Sequence, residues 1–134
     1  MILRVRPGST NSVLTRALPV VFVLSVETSA AFFRDKLGFA IDFLHGDPPF
    51  YASVSRDTAS LHLRFVHEAV ITPQVRERED GLISAFVEVD NIQALFAEYK
   101  AAGVEFAQPL RKEPWGMSTF MVLDPDGNYI CFAG

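Results

Sequence analysis

Apolar residues fall along this chain in two successive series with the same order. In the first, Val20, Val21, Phe22, Val23 and Val26 form a β-branched and aromatic run that predicts a strand over residues 18–26, covered on both faces. Glu27-Thr28-Ser29 then predicts a helix cap, and Ala30, Ala31, Phe32, Phe33 and Leu37 recur at helical spacing until Gly38 offers a left-handed stop. Strands are predicted over 39–45, 50–56 and 60–66, parted by the turn formers Gly46-Asp47-Pro48-Pro49 and Asp57-Thr58-Ala59.

The second series repeats this order. A strand over 82–89 leads to a cap at Asp90 and a helix over 91–102, with Ile92, Leu95, Phe96 and Tyr99 on one face and Gly103 as its stop. Strands over 104–110, 117–123 and 129–132 follow, the last two joined by the hairpin Asp124-Pro125-Asp126-Gly127-Asn128. A unit that cannot close its own core predicts two copies packed together around a concavity, an α+β arrangement of tandem βαβββ modules. The expected parts are an arm over 1–17, a first module over 18–66, a linker over 67–81 and a second module over 82–134. The linker holds Pro73 and the charged run Arg76-Glu77-Arg78-Glu79, which predicts a solvated loop or short helical turn.

Composition narrows the partners. With 134 residues, 49% of them hydrophobic, the chain suits one compact domain or two small modules sharing a core. Its 12 Lys and Arg against 16 Asp and Glu leave a net charge of −4, which disfavours nucleic acid and mildly favours cationic small molecules. Cys131, the single cysteine, excludes an internal disulfide and fits a reducing compartment. No apolar run reaches membrane-spanning length, and the first 16 residues, with Arg4, Arg6 and Arg16, lack the apolar core of a secretory signal. A loose N-terminal arm and a cytoplasmic location are the expectation.

The repeated order, with Leu37-Gly38-Phe39 after the first helix and Asp124-Pro125-Asp126-Gly127-Asn128 before the last strand, resembles the vicinal oxygen chelate superfamily of glyoxalases, ring-cleaving dioxygenases and bleomycin resistance proteins. Pro114-Trp115-Gly116 and Gly38-Phe39-Ala40-Ile41-Asp42-Phe43 are most similar to the bleomycin-binding branch. The resemblance implies cup-shaped, largely antiparallel sheets. Its enzymes hold a divalent metal on the cup floor between His and Glu side chains. On this alignment the first-strand positions are Val21 and Ser84, with 84 − 21 = 63, and the fourth-strand positions are His62 and Cys131, with 131 − 62 = 69. Valine cannot ligate and serine is a poor ligand, whereas stable binding needs at least three protein donors. No metal and no cofactor are therefore expected.

The resemblance leaves recognition as the expected chemistry. Phe43 and Trp115 match the aromatic clamp of the bleomycin-binding proteins, and Phe50 offers a third wall. Asp42 and Glu113 are placed to face a cationic amine. His62 and Cys131 are read either as a pair on the floor or as a hydrogen-bonded histidine beside a buried thiol. Phe22, Phe32, Phe33, Phe86 and Phe96 are expected in the core, and His45 and His67 on the surface. The expected partner is a planar small molecule, with a cationic group as one option, held by a homodimer; the similar proteins commonly exchange their N-terminal strand, and Pro19 resembles their hinge proline. The alternative is a metal-assisted lyase, transferase or dioxygenase using His62, Cys131 and a carboxylate such as Glu88 or Glu105.

Overall fold

The computed structural model describes residues 11–134; residues 1–10 of the expected arm lie outside the described residues. The first module runs β1 (Val20–Val23), α1 (Val26–Asp35), β2 (Ala40–Gly46), β3 (Pro49–Arg56) and β4 (Ala59–Phe65). After α2 (Pro73–Arg78), the second runs β5 (Ile83–Glu88), α3 (Ile92–Ala101), β6 (Phe106–Lys112), β7 (Ser118–Leu123) and β8 (Tyr129–Ala133). Each module makes a four-stranded sheet of the same topology, β1-β4-β3-β2 and β5-β8-β7-β6. The pairs β1·β4 and β5·β8 are parallel and the rest antiparallel.

Local chemistry sets the helix starts, each a few residues from the position predicted. Ser25, not Glu27-Thr28-Ser29, caps α1, its Oγ accepting from the Thr28 amide at 3.2 Å. Asn91, not Asp90, caps α3. Its left-handed backbone (φ 54°) aims Oδ1 at the Ala94 amide, 3.3 Å away. The linker's short helix has a signal of its own, Thr72 accepting from the Val75 amide ahead of Pro73.

Both long helices pack on one face of the sheets, and their cores merge. Val21, Val23, Phe33, Ala52, Val54, Leu61 and Leu63 of the first module join Ala85, Tyr99, Phe120, Val122, Ile130 and Phe132 of the second in one buried cluster. Val26 and Phe33 of α1 occupy the places that Ile92 and Tyr99 hold in α3, all four buried. The modules meet through these helices. Tyr99 Oη donates to the Leu37 carbonyl at 2.8 Å, Lys36 Nζ to the Ala102 carbonyl at 3.0 Å, and Arg56 pairs with Glu98 through both guanidinium nitrogens.

The hairpin between β7 and β8 is the second tie. Asp124 is 4% exposed and accepts from the Asp126 amide, the Asn128 amide and Asn128 Nδ2 at 2.9, 2.7 and 2.9 Å. So braced, Asn128 Nδ2 donates to the Phe22 carbonyl at 3.1 Å, and Asp126 Oδ1 accepts from the Leu24 amide at 3.1 Å. The loop of the second module thereby holds β1 of the first. Burial pushes the Asp124 carboxyl above the usual carboxylate range despite its donors.

Strand β1 departs from the prediction of cover on both faces. Val21 and Val23 are buried under α1, while Val20 and Phe22 are about 40% exposed on the opposite face. Phe86 on β5 is likewise exposed, at 55%, whereas Phe33 is in the core and Phe32 and Phe96 are packed against it. Placing the helices between the sheets leaves the other face of each sheet bare.

These ties give separable costs. Asp124→Ala leaves buried N–H groups without an acceptor and is expected to lower unfolding free energy by about 2 to 4 kcal/mol. Tyr99→Phe should cost only about 1 kcal/mol, because the Leu37 carbonyl keeps its bond from Arg56 Nη1. Urea titrations of both variants check the order; equal losses would contradict it.

Candidate functional site

The open face of the first module gathers Asp42, Phe43 and His62. Phe43 stacks on Tyr51 with ring centroids 6.5 Å apart and meets His62 edge-on at 6.1 Å. Tyr51 Oη lies 2.9 Å from His62 Nδ1. A register shift between Ile41 and Phe43 makes Asp42 a bulged residue, so it shares the face with Phe43 although the two are adjacent in sequence. The Asp42 carboxylate accepts from Ser53 Oγ at 2.9 Å and Ser55 Oγ at 2.7 Å. Phe50, half exposed at the start of β3, packs edge-on against His45 at 5.2 Å.

Glu113, Trp115 and Cys131 belong to the second module. Glu113 is buried and accepts from Arg111 Nε at 2.7 Å and Thr119 Oγ1 at 2.8 Å, which together hold its carboxyl below the usual range. The Glu113 carbonyl accepts from the Gly116 amide at 3.0 Å, and that turn presents Trp115 with 68% of its surface exposed. Burial, reinforced by the Glu113 charge, pushes the Cys131 thiol up, and Sγ reaches only the Phe132 carbonyl, at 3.9 Å. His62 and Cys131 thus have separate partners on separate sheets. His45 and His67 are exposed, as expected.

The repeat's own register corrects the positions assigned on the first strands. His62 pairs with Val20, and Cys131 with Phe86. Helix starts are offset by 92 − 26 = 66 residues, the same as 86 − 20 = 66, so Val20 and Phe86 are the equivalent pair. Val21 instead points into the core, and Ser84 Oγ lies 3.3 Å from Asn128 Oδ1. Valine and phenylalanine offer no lone pair, His62 Nδ1 is engaged and the Cys131 thiol is held protonated, so this donor set does not fit a divalent metal. Among the described residues, no group of three His, Cys, Asp or Glu is arranged to hold one.

Two face residues were not singled out from sequence, Tyr51 and Arg64. Alternation along β4 from His62 reaches Arg64, and Tyr51 is its cross-strand partner on β3, so period-two reading from His62 finds both. A cavity of about 580 Å³ lies elsewhere, between the modules, beside Phe39, Arg56, Asn91, Leu95 and Tyr99. None of the seven sequence-predicted site residues lines it. No helix among the described residues is long and apolar enough to cross a membrane.

A family model described as the Glyoxalase/Bleomycin resistance protein/Dioxygenase superfamily matches residues 15–132. No curated protein matches the chain. Among solved structures, the bleomycin-binding protein of bleomycin-producing Streptomyces verticillus, complexed with copper(II)-bleomycin, is 28% identical over 90% of this chain and 96% of its own, with a TM-score of 0.71. A bleomycin resistance determinant encoded on the transposon Tn5 is 17% identical over 90% and 97%, TM-score 0.71. A glyoxalase-related enzyme from Clostridium phytofermentans is 17% identical over 93% and 98%, TM-score 0.70. The last two likenesses establish the fold.

Two measurements check the electrostatics. Glu113 has its carboxyl lowered, so its contribution to stability is full above the ordinary glutamate value and is lost as pH falls through the folded one; Glu113→Gln should flatten the decline in stability between about pH 5 and 3. Native Cys131 should react with iodoacetamide more than tenfold slower than the urea-unfolded chain at the same pH, since the thiolate is the nucleophile and burial disfavours it. Equal rates would place the thiol in contact with solvent.

Proposed function

We propose that this chain, which belongs to the glyoxalase/bleomycin resistance protein/dioxygenase superfamily, binds a planar small molecule in a cleft completed by a second copy and holds it without covalent change. The observation that carries the reading is the exposure of aromatic rings. Phe22 and Phe43 stand on the open face of the first sheet, Phe86 on that of the second and Trp115 in the turn before β7, each more than 40% exposed. Exposed large apolar side chains grouped on a face mark a binding or assembly surface. Flat rings on two opposed faces are the means by which a planar compound is sandwiched.

The same geometry supports a second copy. The helices join the modules within one chain and turn the two open faces outward, so neither face has a partner wall within its own chain. Pairing the first module's face with the second module's face of another copy supplies both walls and covers Val20, Phe22 and Phe86. The relative complexed with copper(II)-bleomycin supports a bleomycin-like compound as the class of ligand. Sequestration fits a face whose carboxylates are hydrogen-bonded and whose thiol is kept neutral.

Two measurements test this. Trp115→Ala is expected to weaken binding of a planar ligand by about 1 to 3 kcal/mol, the range for a stacked aromatic, while leaving the ligand's recovered mass unchanged; unaltered affinity removes the clamp. Light scattering at micromolar concentration should give twice the chain mass, and a monomer would remove the shared cleft.

A further inference from the structure

The first module's open face is a donor surface, and we infer that Arg64, with His62 and Tyr51, receives an acidic or strongly hydrogen-bond-accepting group on the planar ligand. This rests on the reading of that face as a binding wall. It changes the expected polarity of the ligand.

The carboxylates of both modules are already engaged. Asp42, the carboxylate of this face, accepts from two serine hydroxyls. Glu113, on the other module, is buried against Arg111 and Thr119. A cationic ligand would have to displace those bonds or settle for a carboxylate whose charge is already partly met. Arg64 is in the opposite condition. Among the described residues it makes no ion pair within 4 Å, and its guanidinium lies over the Phe22 ring, 5.9 Å from the centroid. A guanidinium resting on an aromatic face keeps its N–H edge turned outward for a bidentate acceptor.

The neighbours add donors. Arg64 is the cross-strand partner of both Phe22 and Tyr51, and His62 sits two residues away on the same face of β4. Tyr51 Oη lies 2.9 Å from His62 Nδ1, and in the tautomer in which the phenol donates to Nδ1, Nε2 carries the N–H and is a further donor. Phe43, stacked on Tyr51, gives the ligand's ring a surface beside these groups. Apolar wall and donor edge therefore adjoin, as recognition of an aromatic carboxylate or an acceptor-rich heteroaromatic requires.

The test uses three probes of one ring: 2-naphthoate, 2-naphthamide and 2-naphthylmethylammonium, titrated calorimetrically into the full chain. Naphthoate should bind at least tenfold tighter than the ammonium compound. Arg64→Gln should erase that preference while leaving the far-UV circular dichroism and the thermal midpoint of the chain unchanged, which shows that the variant is folded. Tyr51→Phe, which leaves His62 Nδ1 without its donor, should weaken naphthoate severalfold. The ammonium compound binding as well as naphthoate, or a preference that survives Arg64→Gln, overturns the inference and leaves the aromatic clamp standing. Loss of the dimer in Arg64→Gln with the preference intact would assign Arg64 to the subunit interface instead. A wild-type chain that binds none of the three overturns the clamp, and the inference with it.

Discussion

Asp124 is the side chain on which the arrangement turns. Its carboxylate is buried at a cost large enough to raise its proton affinity, and it is kept there by three N–H donors from its own hairpin. Those bonds hold Asn128 and Asp126 where they can take the backbone of β1. A loop of one module thus fixes an edge strand of the other, and the helices, joined through Tyr99 and Leu37, have one way to pack. Once both helices lie between the sheets, the outer faces are committed to being bare.

What those faces carry then decides their chemistry. The positions opposite His62 and Cys131 are Val20 and Phe86, so the floor is apolar where metal enzymes of the superfamily place donors. Each acidic group predicted at the site is met by hydroxyls or a guanidinium, and the thiol is neutral. Rings and outward-facing donors remain. On the proposed reading such a surface discriminates by shape and by the polarity of a substituent.

Much of this was legible in the sequence because the repeat is periodic and its stops are chemical. Gly38 and Gly103 end the helices where left-handed backbone is needed, at φ 75° in both cases. The equivalence of His62 and Cys131, implied by the family resemblance and supported by spacing, agrees with the register. The parity of the first strand did not follow, because Val20-Val21-Phe22-Val23 has no polar residue to mark its outer face. Phe22 and Phe86 were read as core for the same reason: an apolar side chain awaiting a partner surface has the same pattern as a buried one. The bulge at Asp42 also left no local mark, since it places two consecutive residues on one face against the strand period. Thr72-Pro73 is a local cap signal for the linker helix, whereas the charge run alone left a loop and a helical turn both open.

The parallel pairing within each module has a further consequence, for the order in which the molecule assembles. Val20 meets His62 and Phe86 meets Cys131, contacts separated by some forty residues, while β2, β3 and β4 are joined by tight turns. On a ribosome the hairpins form as they emerge, but β1 waits for β4, and the clasp on β1 waits for a turn near the C-terminus. Chain entropy therefore opposes closure of the first sheet until β4 has been made. Until then the backbone of β1 has no partner strand, which leaves the opening strand open to premature association between nascent copies.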